Sequence, residues 1–294
     1  MGELAALLAA SAWAAGFVML RAVPVRHRIF NLNALRMWGP ACIYIVILVV
    51  LGWVPRFREL TWVNYAALSA TVITGIGFSD LVMLRAMRVI GASRAYAIGG
   101  IAPLFTVLFA WLILSEEINR LLVLGAVLIV IGTALVTLRN IAEKTTAAIG
   151  SREYWLAITL TLSLAMVWGI DVVLMRIGVG ETNPVVANSF RVPLAALFTS
   201  ALAWRVTGHV IPPDMHIRNV WISILAGTIG VAAGSFLFLT STQLIGAARA
   251  ASISAISPVA TLLLAVVFLN ERPGLHVILG IMLAVVGVAL VSLS

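Results

Sequence analysis

The sequence predicts an all-α membrane protein whose ten transmembrane helices form two inverted five-helix repeats. The first observation is composition: of 294 residues, 62% are hydrophobic and only 10% are charged. A soluble domain has about 45–50% apolar and about 25% charged residues, so lipid is the expected solvent for this chain. The second observation is a set of long apolar runs, and the third is a duplication that joins them in pairs.

The apolar runs are broken by charged residues, prolines or glycine clusters, and most approach the length of about 20 residues that a spanning helix needs. Helices are favoured over strands because lipid offers backbone groups no outside partner. The predicted helices cover residues 3–20, 30–52, 63–87, 92–114, 120–138, 154–177, 184–207, 219–243, 247–269 and 275–293. The first run carries Glu3 and lacks a basic start, which indicates a spanning helix rather than a cleaved signal peptide.

One fixed offset relates the two parts of the chain. Arg94 and Arg249 are separated by 249 − 94 = 155 positions. The same offset pairs Trp13 with Trp168, Arg21 with Arg176, Asn33 with Asn188, Arg36 with Arg191, Gly75 with Gly230, Pro103 with Pro258 and Glu116 with Glu271. A five-helix unit ends on the side opposite to its start, so its copy enters the membrane inverted. Inverted repeats are typical of secondary transporters that hold substrate near the midplane between the repeats.

The repeat also sets the predicted domain organisation. The first five-helix unit covers residues 1–140 and the second covers residues 154–294. Residues 141–153 form the predicted linker, because the stretch RNIAEKTTAAIGSRE at 139–153 is the most polar connection in the chain.

Four charged residues are predicted to lie inside helices. Arg36 and Asp80 fall roughly 10 Å deep from one face, and Asp171 and Arg191 lie at a matching depth from the other, at about 1.5 Å per residue. Each half thus offers one Arg–Asp pair, and the aspartates are not repeat-equivalent. One interpretation is that the pairs only neutralise each other or reach the headgroups. The other is that arginine binds a substrate carboxylate while aspartate binds an amine or a coupling proton.

Aromatic residues beside these charges are candidates for the walls of a substrate cavity. Tyr96 lies about two turns before Pro103 and is predicted to face the cavity. Trp13, Phe17 and Trp168 are the other candidate wall residues. Lipid packing, or a place in the interfacial aromatic belt, is the alternative for the tryptophans.

Prolines and glycines at repeat-equivalent positions are candidate hinge or structural residues. Pro103 and Pro258 are predicted to kink a helix in mid-course, as a hinge or as a static bend. Gly75 and Gly230 each begin a small-xxx-small pair, which favours close packing of helices.

Two further repeated features point to structure. The glycine pairs 125/132 and 280/287 predict close packing, either between the fifth and tenth helices or at a dimer surface. Glu116 and Glu271 end helices, where an interfacial ion pair or a helix cap is expected.

The sequence does not favour an enzyme, a cofactor site or a nucleic-acid site. It contains no H-E-x-x-H, G-x-S-x-G, Walker or C-x-x-C motif, and its four histidines lack metal-ligand spacing. The net charge of +8 is spread singly between apolar runs rather than gathered on one basic face. Cys42 is the only cysteine, so no intramolecular disulfide can form.

The repeated motifs resemble those of the drug/metabolite transporter superfamily, in its ten-helix EamA-type branch. They comprise a tryptophan followed by a small residue (Trp13-Ala14, Trp168-Gly169), the early arginines Arg36 and Arg191, the prolines followed by glutamates, and Gly-rich last helices. The resemblance implies a multi-pass carrier of a bacterial inner membrane that exports amino acids or other small metabolites. This chain differs from the related small multidrug pumps. Those pumps carry a glutamate inside the first helix, whereas this chain has only Glu3 at the edge of that helix.

Several properties stay open at the level of sequence. Basic residues are more frequent in odd-numbered connections, which places both termini outside, whereas the resemblance implies cytoplasmic termini. The expected partners are a small-molecule substrate, membrane lipids and protons as a candidate coupling ion, in a monomer or a homodimer. The alternative functions are a lipid-carrier flippase of the same architecture and a non-transporting intramembrane enzyme or sensor.

Overall fold

A computed structural model describes residues 1–20, 22–23, 29–138, 151–269 and 274–294. Over these residues the chain is α-helical with short connections, and it contains no strand. Eight of the helical stretches are long and apolar enough to cross a membrane. This confirms the predicted all-α membrane fold, and the predicted count of ten is compatible with it. Most of the predicted linker, residues 141–150, lies outside the described part.

The described residues of the first half form seven α-helices and one π-helical segment, Ile73–Phe78, between the third and fourth. The helices are α1 (Gly2–Leu20), α2 (Ile29–Val50), α3 (Trp62–Val72), α4 (Ser79–Ile90), α5 (Ala92–Gly99), α6 (Ala102–Leu114) and α7 (Arg120–Thr137). A short 3₁₀ helix, Val54–Glu59, precedes α3. The predicted third helix is therefore α3 and α4 joined through the π segment.

In the second half, the part of the chain that the structure describes has six α-helices and a π-helical segment at Thr228–Ala233. The helices are α8 (Arg152–Val179), α9 (Pro184–Thr207), α10 (Ile217–Gly227), α11 (Gly234–Ser254), α12 (Ser257–Leu269) and α13 (Leu275–Ser292). Within α11, Gly246 has φ 82° and ψ 167°, so the helix stops and restarts there.

The two halves match element by element at the offset of 155 residues. The helices α2 and α9 begin at Ile29 and Pro184, and the two π segments begin at Ile73 and Thr228. The break at Gly246 has its counterpart in Gly91, which has φ 87° and precedes α5. Both glycines occupy a backbone region that other residues rarely adopt. The duplication seen in the sequence is therefore also a duplication of local structure.

Glycines allow α7 and α13 to pack closely in antiparallel orientation. A Cβ added to Gly125 would lie 2.6 Å from the carbonyl oxygen of Gly287, and one added to Gly287 would lie 2.6 Å from that of Gly125. Gly132 and Gly280 face each other in the same way. The glycines thus pack the predicted fifth helix against the tenth within one chain.

The helices α2 and α9 also cross antiparallel, through polar contacts at three levels. Asn31 Nδ2 donates to Thr207 Oγ1 at 3.1 Å, and Trp38 Nε1 donates to Ser200 Oγ at 3.0 Å. Further along, Asn188 Nδ2 donates to the hydroxyl of Tyr44 at 3.1 Å. Both pairs of repeat-equivalent helices therefore run antiparallel, which is compatible with the predicted inverted repeat.

The structure corrects the prediction that the two prolines lie in the middle of a helix. Pro103 is the second residue of α6 and Pro258 the second residue of α12. Proline is tolerated at the start of a helix because the missing N–H would have no intrahelical partner there. The predicted fourth helix is accordingly two helices, α5 and α6, separated at Gly100 and Ile101.

Candidate functional site

A buried polar cluster lies where the two halves meet, and it contains two of the predicted charges. Asp171 on α8 is 5% exposed, and Arg191 on α9 is 8% exposed. Asp171 Oδ1 accepts a hydrogen bond of 2.8 Å from the hydroxyl of Thr74. Arg191 Nε donates to the hydroxyl of Thr71 at 2.8 Å. Both charges of the second half are thus held by hydroxyl groups of the first half.

Asp171 and Arg191 attract each other electrostatically without a direct ion pair. The ion pairs within 4.0 Å among the described residues lie elsewhere, at the chain start, at Arg56–Glu59 and at Arg176–Glu181. Thr71 and Thr74 are three positions apart, which places them on one side of the helix that faces both charges. The arrangement is therefore a pair of opposite charges, each bound by one threonine of the same helical stretch.

The cluster continues from Arg191 to the second π segment. Arg191 Nη1 donates to Ser235 Oγ at 3.4 Å, and Ser235 Oγ donates to Asn188 Oδ1 at 2.8 Å. The hydroxyl of Tyr44, which accepts from Asn188, donates to the carbonyl of Ala232 at 2.7 Å. A guanidinium has five N–H donors. Side-chain hydrogen bonds within the described residues use two of them, which leaves donors for a ligand carboxylate.

Gly75 makes the space that Asp171 occupies. A Cβ on Gly75 would lie 2.7 Å from Asp171 Oδ2, so a larger residue would displace the carboxylate. The repeat-equivalent contact joins Gly230 and Gly16: a Cβ on Gly230 would lie 3.3 Å from the Cα of Gly16. Both Gly75 and Gly230 thus stand where two helices approach closely. Because Asp171 matches Gly16 in the repeat, the carboxylate has no counterpart in the first half.

Trp168 joins the cluster through a chain of hydrogen bonds. Its Nε1 donates to Ser79 Oγ at 3.0 Å, and Ser79 Oγ donates to the carbonyl of Thr74 at 2.6 Å. The ring also packs on Gly99, where an added Cβ would meet it at 2.9 Å. Trp168 is therefore connected through Ser79 to the π segment that holds Asp171.

The structure places the remaining described site residues in other surroundings. The guanidinium of Arg36 stands 5.8 Å from the ring centroid of Phe17, which is 49% exposed. Trp13 packs on Phe238 with ring centroids 5.2 Å apart, and Tyr96 is 47% exposed on α5. The side chain of Asp80 is outside the described part of the structure, as is Glu271.

Five hydroxyl and amide residues of the cluster are not among the predicted site residues: Tyr44, Thr71, Thr74, Asn188 and Ser235. Asn188 carries a signal in the sequence, since the repeat pairs it with Asn33. The other four have no distinguishing pattern in the sequence, because their role depends on which helices pack against each other in the fold. Within the residues that the structure describes, no group of three His, Cys, Asp or Glu side chains could hold a metal ion.

Comparison with known proteins gives one family. The model of the EamA-like transporter family matches this chain twice, over residues 1–138 and 155–293. An uncharacterized transporter of Clostridium kluyveri is 26% identical over 226 residues, which are 76% of this chain and 70% of that protein. Protein PagO of Salmonella typhimurium is 32% identical over 127 residues, covering 43% of this chain and 40% of its own.

A solved crystal structure of another protein has the same fold. It covers 99% of this chain and 96% of its own chain, with a TM-score of 0.78 at 21% sequence identity. At that identity the match shows the fold alone.

Proposed function

The chain belongs to the EamA-like transporter family, and from this premise we propose that it is a secondary carrier that exports small polar metabolites, amino acids or related compounds, by alternating access. As a member of this family it is a multi-pass transporter of the drug/metabolite superfamily with a small-molecule substrate. A bacterial inner membrane is its proposed location, supported by its bacterial relatives.

The observation that carries the proposal is the cluster of Asp171 and Arg191 between the halves. A charged residue inside a membrane is costly, on the order of 2.5–3.5 kcal/mol on insertion scales, and such residues mark substrate or ion pathways. Since each charge is held by a threonine of the opposite half, movement of one half against the other would change the contacts of both.

The chemistry of the cluster fits a zwitterion. The unused donors of the Arg191 guanidinium suit a carboxylate, which planar guanidinium groups bind bidentately. The Asp171 carboxylate suits an ammonium group or a coupling proton. In this proposal, Gly75 and Trp168 fix the position of the carboxylate through the π segment. Arg36 and Asp80 stay proposed substrate residues of the first half, and of the two only Arg36 is repeat-equivalent to a charge of the cluster, Arg191.

The test uses purified protein in liposomes that are loaded with a mixture of amino acids and other metabolites, with and without a proton gradient. Mass spectrometry identifies the species that leave. We expect selective efflux that depends on the gradient and is lost in Asp171→Asn. Efflux of no small molecule under either gradient would contradict the proposal, and stimulation by lipid-linked cargo would favour a flippase instead.

A further inference from the structure

A carboxylate of the first half closes over the broken helix of the second half. Glu116 follows the end of α6, and its Oε1 accepts from the backbone N–H of Ala247 at 2.6 Å. Its Oε2 accepts from the N–H of Ala248 at 3.0 Å. Both donors lie directly after Gly246, where α11 restarts. We call this contact between Glu116 and residues 246–248 the clasp.

The local chemistry explains why a carboxylate sits there. The first N–H groups of a restarted helix have no intrahelical partner, and the positive end of the helix dipole favours an anion. Gly246 leaves room for it, since an added Cβ would lie 2.9 Å from both carboxylate oxygens. Glu116 thus acts as a helix cap, one of the two roles expected for it, but it caps a helix of the other half.

Two cavities meet at the clasp. One, of about 340 Å³, is lined by polar and apolar groups of α8 and α11, among them Arg176, Thr242 and Gln243. The other, of about 200 Å³, is lined by Glu117, Leu122, Ile245 and Arg249. Glu116 and Gly246 line both, so the clasp is the wall between them.

The larger cavity lies beside the end of α8, where Arg176 lines it. Opening of the clasp would join the two cavities between α6 and α11.

We propose that the clasp is a gate of the carrier: it is closed in this structure, and its release opens the adjacent face between α6 and α11. This inference rests on the proposed alternating access between the halves. The two donors, Ala247 and Ala248, pack in a hydrophobic cluster with residues of α6 and α7, so release of the clasp requires α11 to move against these helices.

The experiment measures opening without any substrate. Thr242 is 0% exposed, and its hydroxyl donates to the carbonyl of Leu239 within its own helix. Thr242→Cys, in protein with Cys42→Ala, is reacted with a membrane-impermeant maleimide in liposomes. In this background Glu116→Gln should label about tenfold faster, since loss of a charge-assisted hydrogen bond shifts an opening equilibrium by about one decade.

Glu117→Gln is the matched control. It removes the same charge one residue away and touches neither Ala247 nor Ala248, so its labelling rate should equal that of the parent. Equal labelling rates in Glu116→Gln and Glu117→Gln would overturn the gate. Lower thermal stability of Glu116→Gln with unchanged labelling would also overturn it, because it would identify a static cap.

The gate and the proposed function fail in different ways. Faster labelling in Glu116→Gln without efflux of any small metabolite would support the gate and contradict the proposed substrate class. Gradient-dependent efflux with identical labelling in all variants would support the carrier and contradict the gate. Gly246→Ala gives a second variant, since its positive φ and the carboxylate contact both oppose a Cβ, and it should label faster as well.

Discussion

Thr74, in the π-helical segment of the first half, donates its hydroxyl to the carboxylate of Asp171 in the second half, at 2.8 Å. The same hydroxyl lies 2.8 Å from the carbonyl oxygen of Ala70, so its single proton has two acceptors within reach. A π segment places side chains out of the regular helical register and is frequent at functional sites. The charge of one half is therefore positioned by an irregular turn of the other.

Asp171→Asn should lower coupled transport, and it should also lower stability because Arg191 stays buried without its opposite charge. The amide oxygen can still accept from Thr74, so the cluster keeps its shape while the negative charge is lost. We expect efflux to fall about 10–100-fold, the ratio that corresponds to loss of a charged hydrogen bond. Initial efflux rates from liposomes measure this, with the exposed Asp214→Asn as the control. Wild-type rates in Asp171→Asn would remove this residue from the site.

Arg191→Met should destabilise the protein, because it leaves the carboxylate of Asp171 buried without its opposite charge. Breaking a buried charge pair typically costs about 3–5 kcal/mol. The double variant Arg191→Met, Asp171→Asn should recover part of that loss. Thermal unfolding in detergent measures all three proteins. A double variant no more stable than Arg191→Met would mean that the two charges do not compensate each other.

Tyr44→Phe should lower both stability and transport, because the hydroxyl connects Asn188 to the carbonyl of Ala232 in the second π segment. Leaving buried partners unsatisfied costs about 1–3 kcal/mol. Tyr65→Phe is the matched control, since its hydroxyl bonds the carbonyl of Phe57 away from the cluster. Unfolding curves and efflux rates of the two variants decide whether the effect belongs to the cluster.

Gly132→Val should separate α7 from α13. An added Cβ would already lie 2.7 Å from the backbone nitrogen of Ala284, and overpacking costs about 1–3 kcal/mol. The control is Leu124→Val on the same helix, at a side chain that is 51% exposed. Thermal stability should fall only in the glycine variant. A fall of the same size in both variants would show that the crossing of the glycines is not the cause.

The sequence predicts the all-α membrane fold, because long apolar runs are a property of the chain itself, although the structure divides the predicted third and fourth helices. It also identifies Asp171 and Arg191, since charge inside an apolar run is visible without a structure. Thr71 and Thr74 cannot be found in this way, because their role depends on α3 lying against α8 and α9.

The prolines show a second limit of the sequence. The helix breaks that precede them, at residues 100–101 and 255–256, lie at Gly99-Gly100 and after a serine-containing stretch, both of which a single long helix also tolerates. Pro103 and Pro258 therefore read as interior residues of one long helix, although each stands in the first turn of a new one.

The pairing of Gly16 with Asp171 has a consequence for the history of the chain. If two separate copies of one five-helix unit formed a symmetric dimer, every residue of the unit would occur once on each face. An aspartate at this position would then bury a carboxylate on both faces, and a glycine would leave both faces without a carboxylate. Fusion of the two copies allows each position to change separately, so that one face keeps the glycine contact with Gly230 while the other acquires a charge. Because both positions belong to one chain, the two faces of the site can differ although the repeats are alike.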